Sequence, residues 1–316
     1  MSAPKLVVVA GPTATGKTRL GILLAQALDG EIVSADSMQV YRRMDIGTAK
    51  ATAEERAAAR HHMLDVAEPW ESYSVSRYVE EAARCCDDIL ARGKLPILVG
   101  GTGLYIDSLL SGRDFAGRSE GDESLREELN ARWDAEGGEA LLAELRSFDP
   151  ERAAKLLPSD RRRIVRAIEI YRLTGETISA HDARTRALPP RYEAARIHLD
   201  YRSRAALYAR IDARVDAMIE SGLFEEVAAL LAEGVPPDST AMQAIGYKES
   251  AAALRGEISR AEAVELIKLS SRRYAKRQLT WFSRTEDALR LRWDGAPDFE
   301  EALRVSTDFL ARRGLS

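Results

Sequence analysis

The sequence predicts an α/β fold: a P-loop core built on a parallel sheet, a mainly helical insertion domain and a helical C-terminal part. Three observations carry that expectation. In "VVVAGPTATGKTRLG", Val7–Gly21, the residues Gly11-Pro12-Thr13-Ala14-Thr15-Gly16-Lys17-Thr18 match the phosphate-loop pattern G-x4-G-K-[ST] in full. Several short apolar runs lack polar alternation, the pattern of strands buried on both faces. After Gly112 the texture changes to segments rich in Arg, Glu, Ala and Leu.

Lys5–Ala10 reads as the first strand and Thr18–Leu28 has helical spacing, so the glycine loop lies between a strand and a helix, as a phosphate cradle requires. "EIVSA" gives a second strand that ends at Asp36-Ser37. Ser76–Arg92 reads as an amphipathic helix stopped by Gly93, and "LPILVG" as a buried strand running into Gly100-Gly101-Thr102-Gly103. In such a fold the active loops gather at the carboxyl ends of the strands. "GRDFAGRSEGDES" is a polar, glycine-rich link into the insertion, which closes near Pro189-Pro190. "RIHLD" returns to strand; helices stopped by Gly222 and Gly234 follow, then a long basic helix over 260–284, the short strand "ALRLRW" and a last helix. The expected division is a P-loop catalytic core at 1–112, a helical insertion domain at 113–190, and a return to core with a basic helical part at 191–316.

The 316 residues are 45% apolar and 30% charged with a net charge of −4, so bulk charge gives no reason to expect a polyanionic partner and local charge must decide. The first residues lack the length and cleavage site of a signal peptide, and no run approaches the ~18 apolar residues of a membrane helix. The expectation is a cytoplasmic protein with no membrane partner. Cys85 and Cys86, adjacent in a helix, point in different directions and read as reduced thiols packing as small apolar groups.

Gly11 and Gly16 let the loop backbone converge its N–H groups on phosphate oxygens, Lys17 adds a point charge, and the Thr18 hydroxyl suits a bridging Mg²⁺. Those contacts are to phosphates alone and do not specify ATP or GTP. Proteins that hydrolyse nucleotides add a carboxylate after a second apolar strand. Here "LPILVG" ends in Gly-Gly-Thr-Gly, Asp200 follows a later strand, and Asp36 is the better-placed acid, with a turn former or helix cap as its alternative. From Ile267 to Arg284 there are six Lys or Arg and no acid, with Arg273, Arg277 and Trp281 on one helical face. Asp160–Arg172 adds five more arginines. A positive groove and a solvated helix paired with acidic neighbours both fit these segments. His61-His62 reads as packing or capping groups, not as a metal site.

Together these motifs resemble the bacterial tRNA dimethylallyltransferases, also called tRNA isopentenyltransferases. The blocks are "GPTATGKT", "IVSADSMQVYRRMDIGTAK", "HHMLDV", "YSVSRYVEEA", "LPILVGGTGLYIDSLL", "RRIVRAIEIYRLTG", "MQAIGYKE" and "AKRQLTWF", which span nearly the whole chain. The resemblance implies that Gly11–Thr18 bind the diphosphate of dimethylallyl diphosphate, with Mg²⁺ on Thr18, and that the allyl group passes to N6 of an adenine beside the anticodon of tRNA. It assigns catalysis to Asp36 as base, Lys17 on the leaving diphosphate and Thr102 as a partner of the target base. It places contacts to the tRNA anticodon stem-loop at Asp36, Ser37, Met38, Gln39 and Thr102, at Arg126, at Arg162, Arg163, Ile164, Val165 and Arg166, and at Gln243, Ala244, Ile245, Gly246, Tyr247 and Lys248. Many relatives carry Pro-Gln where this chain has Arg161-Arg162. A monomer is expected. Trp70, Tyr73 and Tyr78 are read as core packing in preference to a prenyl pocket. The competing functions are a small-molecule kinase on the same loop, an adenylate isopentenyltransferase, which would not need the insertion, and a non-catalytic RNA-binding protein.

Overall fold

Six strands form one parallel sheet in the order β3-β2-β4-β1-β5-β6, with β1 at Lys5–Ala10, β2 at Gly30–Ser34, β3 at His61–His62, β4 at Leu95–Gly100, β5 at Glu193–Tyr201 and β6 at Ala288–Trp293. The structure is a computed structural model describing residues 3–112 and 122–315; the polar link read at 112–124 lies largely outside them. Leu6 to Ala10 are fully buried, as the unbroken apolar run requires of a strand covered on both faces.

Register decides where the loops emerge. Ala10 pairs with Gly100 at the end of β1 and β4, and Ser34 of β2 pairs with Val99 of β4. Three strands therefore end together, and the segments beginning at Gly11, Ala35 and Gly101 leave from one edge. The helix Lys17–Ala27 crosses back over the sheet and buries Leu20, Ile22 and Leu24 with Val9, Ile97, Val99 and Ile197.

The chain divides into two compact units. The first comprises residues 1–110 and 191–316 and holds the whole sheet, completed by β5 and β6. The second, residues 111–190, has its own core, in which Leu129, Leu141, Leu145, Ile164 and Ile168 come together from the helices Glu123–Glu136, Gly138–Phe148 and Arg161–Thr174.

The sequence gives no sign of β3: two histidines are too short and too polar to read as a strand. Pairing with β2 explains them. His62 Nε2 lies 2.7 Å from Glu31 Oε2, and Arg92 grips the same buried carboxylate at 2.5 and 2.8 Å. The Arg92 bonds, reinforced by His62, push the Glu31 carboxyl down to about 2 against the opposing effect of burial. Tyr73 and Tyr78 are buried as expected, the Tyr78 hydroxyl donating to the Ser34 carbonyl at 3.0 Å. Trp70 corrects the reading: it is 52% exposed, with the Arg43 guanidinium 5.4 Å from its ring centre. Cys86 is buried, which pushes its thiol up to about 12, and both cysteines are free.

The Asp-Ile-Gly-Thr-Ala-Lys block is fastened by its lysine. The Lys50 ammonium is buried and donates to the Tyr41 carbonyl at 2.7 Å, Asp45 Oδ1 at 2.6 Å and Asp65 Oδ1 at 2.7 Å. Three acceptors replace the water it has lost, and the loop 41–50 is closed on itself as a result. Lys50→Met should leave two carboxylates facing an apolar side chain and cost about 3 kcal/mol of stability. Denaturant unfolding measures it; a loss below about 1 kcal/mol would show that the ammonium does not hold the loop.

Candidate active site

The phosphate loop takes its shape from backbone strain that glycine relieves and from side chains that tie it down. Gly16, which caps the helix Lys17–Ala27, has φ +85°, and a Cβ there would lie 2.5 Å from Phe299 Cζ. Within the loop, the Thr15 hydroxyl and the Lys17 ammonium donate to the Pro12 carbonyl at 2.8 and 2.7 Å. From β6, the Trp293 indole donates to the Thr15 carbonyl at 3.0 Å.

Gln278, on the helix Arg260–Phe282, joins two active loops. Its buried amide accepts from the Thr13 N–H at 3.0 Å and donates to the Gly101 carbonyl at 2.9 Å. A side chain at Gly101 would collide with that amide, which explains the second glycine of Gly-Gly-Thr-Gly. Thr102 links the third loop: its hydroxyl accepts from the Ser37 N–H at 3.0 Å, and its own N–H donates to the Ala35 carbonyl at 3.1 Å. Tyr274 lies beside Thr102 and Gln278, and burial pushes its phenol up to about 12.

Asp36 Oδ1 accepts from the Met38 N–H at 2.9 Å, a turn-forming bond that fixes the carboxylate just beyond β2. The Gln39 amide is committed to the fold, accepting from the Ser34 hydroxyl at 3.0 Å and donating to the Thr48 and Ala49 carbonyls at 3.2 Å each. Opposite, Glu226 accepts from the N–H groups of Asp45, Ile46 and Gly47 at 2.9, 2.8 and 3.2 Å and from the Tyr247 hydroxyl at 2.6 Å. Tyr247 is fully buried. The Gly-Tyr block and the loop 41–50 are thus one assembled wall.

These walls enclose a cavity of about 350 Å³. Thr13, Ala14, Gly16, Lys17 and Thr18 line it on one side, and Asp36, Ser37, Met38 and Gln39 on another. Gln243, Ala244, Ile245, Gly246 and Tyr247 close it, while Lys248 is exposed outside. Gly11, Pro12 and Thr15 are buried in the body of the loop, and Thr102 stands beneath Ser37 without lining the space. Asp200 does not reach the cavity; it accepts from the Tyr201 N–H at 2.8 Å and pairs with Arg204 at 3.1 Å.

The lining residue most easily overlooked in the sequence is Arg214, on the helix Arg204–Glu220. Nothing in "YARIDARVDAM" separates it from its neighbours; only folding turns it into the cavity. Burial lowers its affinity for a proton, and Asp36 partly restores it. Lys17 still meets solvent in part, yet the cavity walls desolvate its ammonium and Arg214 repels it, so its pKa falls to about 7 although Asp36 acts in the opposite sense. Two cations and one carboxylate face the same space, an arrangement built to receive an anion.

In the second unit the arginines divide. Arg161 is held internally by Asp134 at 2.6 and 3.0 Å and by Asn130. Arg162 is exposed; Arg163 is exposed with only a 3.4 Å pairing to Asp160. Arg126 and Arg166 both bind Glu169, at 2.8 and 2.9 Å. Ile164 and Val165 are buried in the core of that unit, so their side chains cannot reach a ligand and only their backbone could. On the helix Arg260–Phe282 some cations are paired with acids and others are exposed. Lys268 and Arg272 pair with Asp216 and Asp212 at 2.6 Å. Arg273, Lys276, Arg277 and Arg284 are exposed and form no ion pair with a described residue, and Trp281 is 36% exposed among them.

Fold and site together define a phosphate-loop α/β protein with a helical second unit. A family model described as IPP transferase matches residues 39–285, and one described as Isopentenyl transferase matches residues 4–68. The chain is 48% identical over 281 residues to a tRNA dimethylallyltransferase of Thermoanaerobacter sp., covering 89% of each chain, and 49% identical to one from Exiguobacterium sp., covering 92% and 90%. Among solved structures, the tRNA isopentenylpyrophosphate transferase of Bacillus halodurans matches with a TM-score of 0.72 at 42% identity, over 97% of this chain and 95% of that one. A eukaryotic dimethylallyltransferase acting on tRNA matches with a TM-score of 0.83 at 29% identity, over 98% and 80%. The chain belongs to the tRNA dimethylallyltransferase family.

The depressed Lys17 pKa predicts a pH dependence. Below about 7 the ammonium is already charged. Above it a bound diphosphate must draw a proton onto Lys17, so affinity should fall between pH 7 and 9 by up to about tenfold per unit while binding takes up a proton. Calorimetry with an organic diphosphate in buffers of differing ionisation enthalpy reads both. Lys17→Arg, always charged, should flatten the profile on the same ligand. Identical profiles for the two proteins would remove Lys17 from the binding equilibrium.

Proposed function

We propose that this protein transfers the dimethylallyl group of dimethylallyl diphosphate to N6 of an adenine adjacent to the anticodon in tRNA, releasing diphosphate. The observation that carries the reading is the meeting of two chemistries in one cavity: Lys17, Thr18 and Arg214 on the phosphate-loop side and the Asp36 carboxylate beside them. A kinase can set the same two chemistries against a hydroxyl acceptor, so what favours transfer to adenine over a kinase is the chain's membership of the tRNA dimethylallyltransferase family. A free-nucleotide acceptor would leave the helical unit 111–190 and its exposed arginines without a purpose.

The steps follow from charge. The lone pair of adenine N6 is delocalised into the ring, so its proton must leave as the new C–N bond forms; Asp36 accepts it. The adenine has first to leave the anticodon stack, which costs a few kcal/mol and is cheapest in a single-stranded loop. Thr102 holds Ser37 in place beside Asp36 through its hydroxyl, so the acceptor side is rigid before substrate arrives. As the C1–O bond stretches, negative charge grows on the departing diphosphate, where Lys17, Arg214 and the loop N–H groups stabilise it. The described residues gather no cluster of three His, Cys, Asp or Glu, so a cage made by protein alone is not available to a metal. A Mg²⁺ ion that keeps its waters and takes substrate phosphate oxygens needs only one or two protein ligands, and the Thr18 hydroxyl suits it; such an ion would neutralise diphosphate charge. The mechanism calls on no group from a second chain, which fits a monomeric enzyme, and a tRNA substrate fits a cytoplasmic one. No helix among the described residues is long and apolar enough to cross a membrane.

Mass spectrometry of nucleosides from tRNA incubated with enzyme and dimethylallyl diphosphate should find N6-dimethylallyladenosine without added ATP. Modification of AMP but not tRNA would move the protein to the free-nucleotide class, and an ATP requirement would defeat the reading. Asp36→Asn keeps the shape and the bond to Met38 but removes the charge, so single-turnover prenylation should slow by roughly 10²–10⁴-fold while tRNA binding changes little. A variant that binds tRNA poorly yet reacts normally at saturation would make Asp36 a recognition residue.

A further inference from the structure

Glu169 is a fully buried carboxylate in the middle of the helix Arg161–Thr174, between buried Ile168 and Ile170. Its Oε1 accepts from Arg126 Nη2 at 2.8 Å and its Oε2 from Arg166 Nη1 at 2.9 Å. The two guanidiniums come from different helices and are not buried with it: the side chains remain 46% and 38% exposed. Each guanidinium carries five N–H donors in a planar fork, and one nitrogen of each is committed to Glu169. No described residue takes the other donors.

Two like charges repel, and two long side chains on a surface lose rotamer freedom when held together. A carboxylate placed below them removes both obstacles. Burying it is costly, however, and an apolar residue of similar size at such a position is often neutral or stabilising. The tie between two helices therefore does not need a charge, whereas holding two outward-facing cations in one geometry does. The start of the same helix points to the same kind of ligand. Its first three residues are Arg161, Arg162 and Arg163, with no acid in the first turn, where the helix dipole favours anions and disfavours cations. Asp134 and Asp160 pair with Arg161 and Arg163, and the exposed Arg162 is left to meet a polyanion.

We propose that Glu169 is a positioning residue for nucleic-acid recognition: it clamps Arg126 and Arg166 into a preformed pair that takes a backbone phosphate of the tRNA. The proposal rests on the reading of tRNA as substrate. Glu169 touches neither the donor nor the reacting base and acts only through the two arginines.

The sign of the effect separates this role from general electrostatics. Glu169→Gln removes a negative charge from a surface that meets a polyanion, so if the arginines acted as loose point charges the variant would bind tRNA more tightly and with a steeper salt dependence. If Glu169 positions them, affinity should fall by about tenfold, the worth of one charge-assisted contact, and the salt slope should drop by about one. Turnover at saturating tRNA and the KM for donor should stay within about twofold. Filter binding at several salt concentrations, steady-state kinetics and a melting curve on the full chain read these quantities. Unchanged or tighter binding by a folded Glu169→Gln variant overturns the proposal. Should that variant fail to fold, Glu169→Asp keeps the charge but is one methylene too short to span both arginines; it should lose affinity similarly, and normal binding overturns the proposal. In an Arg126→Ala, Arg166→Ala background Glu169→Gln should cause no further loss, and a further loss would show that it works through the fold at large. The double arginine variant also isolates the premise. If it binds tRNA normally, the pair is not in the interface and the failure lies there; if it binds weakly while Glu169→Gln binds normally, only the positioning role fails.

Discussion

The common ending of β1, β2 and β4 is the constraint on which the site depends. The pairings Ala10 to Gly100 and Ser34 to Val99 bring three loops of different sequence to one edge, and a shift of one residue in any of them would send its side chains to the other face of the sheet. Register alone places loops only to within their own flexibility. Gln278 and Thr102 supply the rest, one amide bridging Thr13 to Gly101 and one hydroxyl bridging Ser37 to its own loop. Both bridges use backbone groups that a bare loop would have to leave to water. The same bonds that satisfy buried polar atoms therefore set the distance between the phosphate side and the acid side of the cavity.

Charge is handled in two distinct ways in the sheet-bearing unit. Where it supports the fold it is fully paired: Lys50 has three oxygen acceptors, and Glu31 has Arg92 and His62. Where it faces the cavity, pairing is left incomplete. Lys17 rests on a carbonyl, and Arg214 has no ion pair with a described residue, although Asp36 acts on both from a distance. Incomplete pairing is costly in an empty site, as the lowered proton affinity of both cations records. That cost is recovered only when an anion arrives, so the binding energy is directed at the ligand and not at the resting protein.

Much of the core was legible because its residues obey local rules. Unbroken apolar runs announce β1 and β4, the short stretch "RIHLD" points to β5, Gly93, Gly222 and Gly234 stop helices in the expected places, and the loop Gly11–Thr18 carries its own geometry. What escaped depends on residues far apart in sequence. β3 exists because His62 finds Glu31, thirty-one positions away, and the cavity role of Arg214 depends on a helix folding over a loop nearly two hundred residues earlier. Trp70 was misjudged because size and hydrophobicity predict burial on average, and a guanidinium stacked on its ring gives an exposed indole another partner. Ile164 and Val165, which the resemblance names as contacts, have side chains in the core of the second unit, where helical periodicity turns them away from the flanking arginines.

The net charge of −4 describes none of the surfaces that matter. At physiological ionic strength the screening length is about 8 Å, so an approaching polyanion senses the nearest few side chains and not the total. Many surface arginines here pair with a carboxylate, some close in sequence, as Arg132 does with Glu136 and Arg304 with Glu301, and others across the fold, as Arg161 does with Asp134. Some exceptions, such as Arg162, stand apart, but one group is concentrated. Arg273, Lys276 and Arg277 lie close together on the helix Arg260–Phe282, Arg284 follows just beyond its end, and Arg277 also lines the cavity. An acidic protein thus presents unpaired cations beside its cavity and pairs much of its remaining positive charge with acids.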